Sequence, residues 1–494
     1  MSRWHNSASQ WHLHVELGSL PLSNTLAQPR SALALYASVI LLAGALFYLR
    51  VLAPSLAPDL PIENHPVIRL CTALIIAGGA WFFMFCAVRR YAIKAAYIFP
   101  AMLIIGLVLR VMFFGSQPIY ENDYKRYLWD GAVAASGESP YIYSPDEIYE
   151  ASHPGASSRP ALAKLAVMSN EADGLTGEIN SSALTTIYPP AAQAVFVVAH
   201  WIAPFKSWGL QLVFLLIEFL GLWVLLAGLK ARALPRLWSA IYWLNPIIIL
   251  TSYNGVHMDV LLVAPLLAAL LFASRRPIIA AIMLSIAAAI KIWPLLLAPV
   301  LFRQWRSKPA IYISVAILIA VLTMLSLLPM LLTLNPQAGL AAYSTSWTNS
   351  SFIFPGIRDG LGLFTDNSDR LARYAIAAAL IGFSLWLGFV KSASDKTLPA
   401  HLMLLSGAFI FLSPTGYPWY FIWFLMFLPF AAQHWSARGL AVLTIGAAAY
   451  YARYKLGDLG HHVIYTRGLL PLEFGLPLLI LIHDGWKARR NALS

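Results

Sequence analysis

Charge is what this chain has least of. Only 11% of its 494 residues are Asp, Glu, Lys or Arg, against about 25% in a soluble globular protein. With 59% hydrophobic residues and a mean hydropathy of +0.67, an ordinary soluble domain is excluded and a polytopic membrane protein is expected. Cysteine is nearly absent. Cys71 and Cys86 are the two present, and both fall on one predicted helix. At about 1.5 Å of rise per residue they stand roughly 22 Å apart, so they cannot bridge each other and no disulfide framework exists. The chain has no internal repeat of the kind many transporters carry, and no low-complexity tract. The nearest approach to a metal-ligand spacing, His257-x-Asp259, is a poor metal signal alone.

What the chain does have is apolar runs. Fourteen of them between residues 32–53 and 468–484 give 12 to 14 expected crossings, several short enough to be tilted or half-crossing helices around a cavity. The run Ala32–Val51 follows a polar segment, Met1–Arg30, too long for a signal-peptide n-region, and reads as a retained helix. The expected organisation is residues 1–91 as a cytoplasmic tail with two additional helices, 92–484 as the core, and 485–494 as a cytoplasmic tail.

The net charge of +12 is uneven. The longest non-apolar segment, residues 116–188, holds ten acids and four bases. Basic loops stay cytoplasmic, so the remaining excess is a topology signal rather than a nucleic-acid footprint. Arg89, Arg90 and Lys94 place one short loop inside. The loop near Asp59 and Glu63 and the acidic 116–188 segment then lie outside. From the other end, Lys487–Arg490, Arg438, Lys391–Lys396 and Arg303–Lys308 are inside, and 335–369, 413–418 and 452–467 are outside. The stretch 190–302 has two solutions. Either Lys230–Arg236 lie outside, against the positive-inside rule, or one segment is re-entrant and Asn254–Asp259 lie outside.

The acidic loop opens with Tyr120-Glu121-Asn122-Asp123-Tyr124-Lys125-Arg126-Tyr127-Leu128-Trp129-Asp130-Gly131, directly after an apolar run. Glu121 and Asp123 form an acidic pair at a membrane exit. One carboxylate can take a proton from an attacking hydroxyl, and its neighbour can orient the acceptor, ligate a cation or raise the first one's pKa. If the piece is helical, residues 121/125 and 123/126 are helix neighbours. Lys125 or Arg126 then either balances charge or holds a phosphate. Tyr124, Tyr127 and Trp129 suit sugar stacking or an interfacial aromatic belt. Lys291, inside an apolar stretch before Trp293-Pro294, is either a phosphate anchor or a snorkelling lysine. Glu218, inside another, reads as structural, paired with a helix neighbour. Asn254, His257 and Asp259 sit at a helix break, as site residues or caps. The outer loop around Trp347 is aromatic and hydroxyl-rich, and Arg467 is a further phosphate candidate.

Several motifs in order carry a resemblance. Asp123-Tyr-Lys-Arg-Tyr-Leu-Trp-Asp-Gly131 with Ser139-Pro140-Tyr141, Tyr188-Pro189-Pro190 with Gln193, Asn245-Pro246 followed by Asn254-Gly255-Val256-His257-Met258-Asp259, Lys291-Ile292-Trp293-Pro294, and Ser413-Pro414-Thr415-Gly416-Tyr417-Pro418-Trp419-Tyr420 together resemble bacterial polyprenyl-phosphate-mannose-dependent mannosyltransferases. These are alpha-1,6-mannosyltransferase-like members of the GT-C superfamily, related to the first GPI-anchor mannosyltransferase. The resemblance covers about residues 92–484. Asn122 stands where relatives often have an acid, which leaves Glu121 as the second carboxylate. Tyr417 stands where they have His, and no proton-transfer role is assigned to it. One extra residue separates Gly255 from His257.

The resemblance implies an all-α GT-C-type bundle, an inverting mechanism and a lipid-phosphate sugar donor. The expectation is a glycosyltransferase in a bacterial inner membrane with its site on the periplasmic side. It moves mannose from a polyprenyl-phosphate carrier to a glycan or glycolipid acceptor. Asp123 is the base and Glu121 its partner. Arg126, Lys125, Lys291 and Arg467 are the phosphate candidates. Tyr124, Tyr127, Trp129, Asp130, Tyr188, Gln193, Asn254, His257, Asp259, Trp347, Tyr417, Trp419 and Tyr420 are the substrate-binding set. Mg²⁺ or Mn²⁺ dependence is open, with Glu121 and Asp123 as the ligands if a metal is used. The rivals are a lipid-linked-sugar flippase and a non-catalytic envelope scaffold.

Overall fold

A computed structural model describes residues 28–492 except 59, 91–96, 154–158, 173–174, 335–337 and 391–393. The N-terminal tail as far as Ala27, together with Asp59, Lys94, Asn335 and Lys391 of the expected loops, lies outside the described residues. The described residues form helices and turns with no strand; one isolated bridge joins Asn349 to Thr415. The all-α polytopic membrane fold expected from the sequence is what the structure has.

Among the described residues, six helices are long and apolar enough to cross a bilayer: Leu33–Leu56, Val67–Arg90, Ser207–Ala231, Pro309–Leu331, Ser368–Phe389 and His462–Asn491. A seventh span is present if Pro246–Asn254 and Met258–Phe272, bent by 114° where they meet, are taken as one. Ile98–Val111, Pro190–Ile202, Pro277–Ile290 and Leu398–Leu412 are apolar but shorter. At about 1.5 Å per residue a 14-residue helix covers roughly 21 Å of a hydrocarbon core about 30 Å thick. Several of the 12 to 14 expected crossings are therefore broken or partial helices.

The breaks fall where the polar motifs are. Asn245 caps the next turn by accepting from the N–H groups of Ile247 and Ile248 at 3.0 and 3.2 Å, and Pro246 begins that turn. Lys291 ends the Pro277–Ile290 helix in an extended conformation, and Pro294 starts the turn that follows. Irregular backbone at membrane depth is stable only where protein or a cavity surrounds it. These breaks are surrounded by protein: Asn245, Asn254, His257 and Asp259 are all buried.

The core is pinned by an ion pair between Arg110 and Glu218, both inaccessible to solvent. Arg110 donates through Nε and Nη2 to the carboxylate at 2.7 Å each, and through Nη1 to the carbonyls of Gly106 and Trp243. The hydroxyls of Tyr242 and Tyr253 donate to the same carboxylate at 2.8 and 2.5 Å. Glu218 is thus paired, as expected, but with a residue on a different helix.

Contacts also separate two faces. On one, Arg232 approaches Asp395 at 3.7 Å, Ser274 donates to Asp395, Arg303 donates to the Ser394 carbonyl and Gln433 donates to the Arg89 carbonyl. The segments around Arg89, Arg232, Arg275 and Arg303 therefore share the basic face. On the other, His257 meets Glu121 and Asp123, so Asn254–Asp259 lie with the acidic loop. The Ser207–Ala231 helix runs between the two faces, with Gln211 bonded to Gly115 at one end and Lys230 in its last turn.

Candidate active site

Glu121 and Asp123 lie on either side of one imidazole. His257 Nε2 is 3.4 Å from a Glu121 oxygen and its Nδ1 is 3.8 Å from an Asp123 oxygen. Both distances are longer than a direct hydrogen bond, and both ring nitrogens are buried without a hydrogen-bond partner. The imidazole is clamped from its face instead. It stacks on Trp419 at 3.6 Å between ring centres, and Trp419 stacks in turn on Tyr417 at 4.3 Å.

The backbone is strained on both approaches. Tyr120, just before Glu121, has φ 61°, and Val256, just before His257, has φ 55°. A β-branched residue in the left-handed region is rare and costs of order 1–3 kcal/mol. Val256 is the extra residue of the Asn254–Asp259 motif. Gly255 beside it admits the approach, since a Cβ there would meet the His257 ring at 3.0 Å and the Glu121 side chain at 3.4 Å.

The two acids differ in access. The Glu121 side chain is 6% exposed and that of Asp123 is 34% exposed, so an incoming molecule reaches Asp123 first. Burial of the region raises the Asp123 pKa above the ordinary carboxylate value. Glu121 and Asp259 push in the same direction, while His257 and Lys291 pull it down. Glu121 accepts from the Tyr454 hydroxyl at 3.1 Å.

A second charge pair adjoins the first. Lys291 Nζ donates to Asp259 at 2.7 Å, and Trp423 Nε1 donates to the same oxygen at 2.7 Å. The ammonium group also lies over the rings of Tyr420 and Trp423, at 4.3 and 4.9 Å. It keeps 23% of its side chain exposed. Beyond Tyr420, whose hydroxyl is 2.9 Å from that of Tyr343, lies a cavity of about 510 Å³. Its walls are Trp293–Leu296, one side of the Ser368–Leu385 helix, Phe409 and Ser413–Thr415, with Tyr343, Ser344 and Arg373 among its few polar groups. Glu121, Asp123 and Lys291 are not among the lining residues. Tyr343 lines the cavity and meets Tyr420 through its hydroxyl, and Tyr420 lies under the Lys291 ammonium, so the cavity and the charged cluster adjoin through these side chains.

Other sequence candidates hold the outer loop in shape. Helix Asp123–Ala135 begins after Glu121, so Glu121 and Lys125 are not helix neighbours. Lys125 pairs with Glu178 at 2.5 Å, and Arg126 donates to the carbonyls of Asn180 and Ser181. Trp129 packs in a small separate core with Ile148, Leu165 and Ile179. Asp130 accepts from Gln193, which also donates to Tyr188 O and Thr186. Tyr127 stacks on Phe196 and meets the edge of Tyr188. Tyr124 is half-buried. Asn254 ties the loop to the helix break, accepting from the N–H of Ile119 and donating to Ser116 and Gln117. Trp347 donates to the Tyr417 hydroxyl at 3.0 Å. Arg467 is exposed and is not drawn into the cluster.

Among the described residues, no three His, Cys, Asp or Glu side chains gather as a metal site. Here an imidazole fills the space between the two acids, and no metal step is derived. The residues that sequence reasoning passed over are Arg453 and Tyr454. The signal was present: one arginine among three tyrosines in Tyr450-Tyr451-Ala452-Arg453-Tyr454.

The described residues form an all-helical membrane protein with a partly buried carboxylate pair around His257 and a separate apolar cavity. The model of Glycosyltransferase family 87 matches residues 186–415, just under half of the chain. No curated protein and no solved structure matches it. The family match indicates a glycosyltransferase, the enzyme class expected from the sequence. The matched span includes His257, Asp259, Lys291 and the whole cavity lining, and stops short of Glu121 and Asp123 on the N-terminal side.

Proposed function

We propose that the chain is an inverting glycosyltransferase that moves a sugar, mannose by its resemblance, from a polyprenyl-phosphate donor to a glycan or glycolipid acceptor. The observation that carries this is a carboxylate pair around His257 with the Lys291 ammonium nearby, itself linked through Tyr420 and Tyr343 to an apolar cavity. The lipid tail lies in the cavity and the phosphate reaches toward Lys291. The acceptor comes from the aqueous side, where Asp123 is open.

Asp123 takes the hydroxyl proton as the acceptor oxygen attacks the anomeric carbon. The bond from that carbon to the phosphate oxygen breaks, and polyprenyl phosphate leaves with the electron pair. Lys291 is the favoured cation for that charge because, although paired with Asp259, it acts on Asp123 and adjoins the cavity through Tyr420 and Tyr343, whereas Arg126 and Lys125 are held by residues 178–181 of the loop and Arg467 is exposed. A cation in a partly dry site stabilises the leaving phosphate more than it would in water. Asp259 and the rings of Tyr420 and Trp423 hold the ammonium in place. By the positive-inside rule the basic face is cytoplasmic, which supports a site on the opposite, periplasmic side if the membrane is a bacterial inner membrane, as the resemblance implies.

The test is transfer of labelled mannose from polyprenyl-phosphate-mannose by the protein in liposomes. Wild type should transfer. Asp123→Asn should lose about 10²–10⁴-fold in kcat, the usual worth of a general base. Failure of the wild type with every lipid-phosphate sugar tried, or full activity of Asp123→Asn, would refute the reading.

A further inference from the structure

Arg453 belongs to none of the motifs, yet its guanidinium touches two parts of the site. On the Ala448–Asp458 helix, it donates through Nη1 to Asn349 Oδ1 at 2.5 Å and through Nη2 to the hydroxyls of Tyr450 and Tyr454 at 3.0 and 3.2 Å. The Tyr454 oxygen accepts from the cation, which leaves its proton for Glu121 Oε1 at 3.1 Å. Asn349 in turn grips the turn after the Leu398–Leu412 helix. Its N–H donates to the Pro414 carbonyl at 3.0 Å, and its own carbonyl accepts from the Gly416 N–H at 2.9 Å. That turn supplies Thr415 to the cavity wall and leads into Tyr417 and Trp419, on which His257 is stacked.

We propose that Arg453 is a positioning residue for the reaction, aiming Glu121 through Tyr454 and fixing the Ser413–Trp419 turn through Asn349. One cation thereby sets the carboxylate and the floor beneath His257 in a common register. The proposal rests on the role given above to the Glu121–Asp123 pair. Geometry explains the choice of residue: the three acceptors are shared between two guanidinium nitrogens held apart in a planar fork, a spread that the single nitrogen of a lysine ammonium does not reproduce. Donation from a cation also polarises the Tyr454 hydroxyl and strengthens its bond to Glu121.

Tyr454→Phe removes one oxygen and leaves the ring that stacks on Tyr120. It should lower kcat about tenfold with the donor KM within about twofold, since the lost bond acts in the transition state rather than in binding. Arg453→Met should lose more, and Arg453→Lys should recover part of it. In a Glu121→Ala background, which leaves the Tyr454 hydroxyl no acceptor at that position, Tyr454→Phe should have no further effect, whereas a merely structural hydroxyl would cost the same in both backgrounds. A second readout needs no turnover. Labelling of Glu121 by dicyclohexylcarbodiimide, followed by mass spectrometry, should rise at least threefold in Tyr454→Phe and in Arg453→Met. Unchanged labelling, or equal losses in the two backgrounds, would overturn the proposal. Altered labelling without wild-type transfer would instead support the positioning and count against the donor assigned above.

Discussion

Two carboxylates two residues apart have separate environments. Asp123 begins a helix and keeps a third of its side chain open, whereas Glu121 is closed in by Tyr454 and His257. A general base works only when ionised, and burial favours the neutral form, so Asp123 takes up its proton at a higher pH than an ordinary aspartate, about 3.9. The acidic limb of kcat/KM should therefore lie above that value, with the rate falling about tenfold per pH unit below it. Because the acids and the imidazole interact, the limb belongs to the group rather than to one residue. His257 pulls the Asp123 pKa down. Removing it with His257→Gln should move the limb further up in pH, as read from the pH profile of kcat/KM. A limb that stays in place or moves to lower pH would show that the imidazole does not act on Asp123.

At the scale of helices, the Arg110–Glu218 pair makes the clearest stability prediction. Four donors converge on one carboxylate that has no contact with solvent. Glu218→Gln leaves the Arg110 charge uncompensated, which should cost about 3 kcal/mol or more. Thermal unfolding in detergent should show the loss. The double change Arg110→Met with Glu218→Leu should restore at least half of it, because an apolar replacement carries no stranded charge. The same pair shows what was legible beforehand. The expense of burying Glu218 could be read from its apolar surroundings, but not its partner 108 residues away. Apolar length marked where helices would be; Pro246 and Pro294 were read as motif positions rather than as helix ends, and Lys291 as either a phosphate anchor or a snorkelling lysine near a helix end. Lys125 and Arg126 were read from spacing alone, and the loop's own acid and carbonyls at residues 178–181 claimed them. The Glu121–Asp123 pair and the Asn254–Asp259 element were legible as chemistry, and the fold brings them together. Arg453 and Tyr454 showed only as an arginine among tyrosines, and what gives them a part in the site, contact with Asn349 and Glu121, lies more than a hundred residues away.

Across the whole molecule, the contact of His257 with the acidic loop decides between the two topologies that charge counting left open. Once the 254–259 break joins the loop, Lys230–Arg236 fall with Arg89 and Arg303 on the opposite face. The cavity then lies beside the break. Its walls are almost entirely apolar, and among its few polar groups Tyr343 meets Thr415 and Tyr420, an arrangement that would suit a lipid tail with a charged head. Burying each methylene is worth about 0.8 kcal/mol, so excluding two of them weakens binding about tenfold. Ala377 lines the cavity and is itself exposed, so a larger side chain there enters the cavity without displacing core residues. Ala377→Trp should raise the KM for a long polyprenyl-phosphate donor about tenfold or more, leave kcat within about twofold, and barely affect a donor cut to one or two isoprene units. Val321→Trp, on the exposed side of the Pro309–Leu331 helix, should change neither. An equal effect of Ala377→Trp on long and short donors would mean that the cavity does not hold the tail, and that the lipid enters by another side of the bundle.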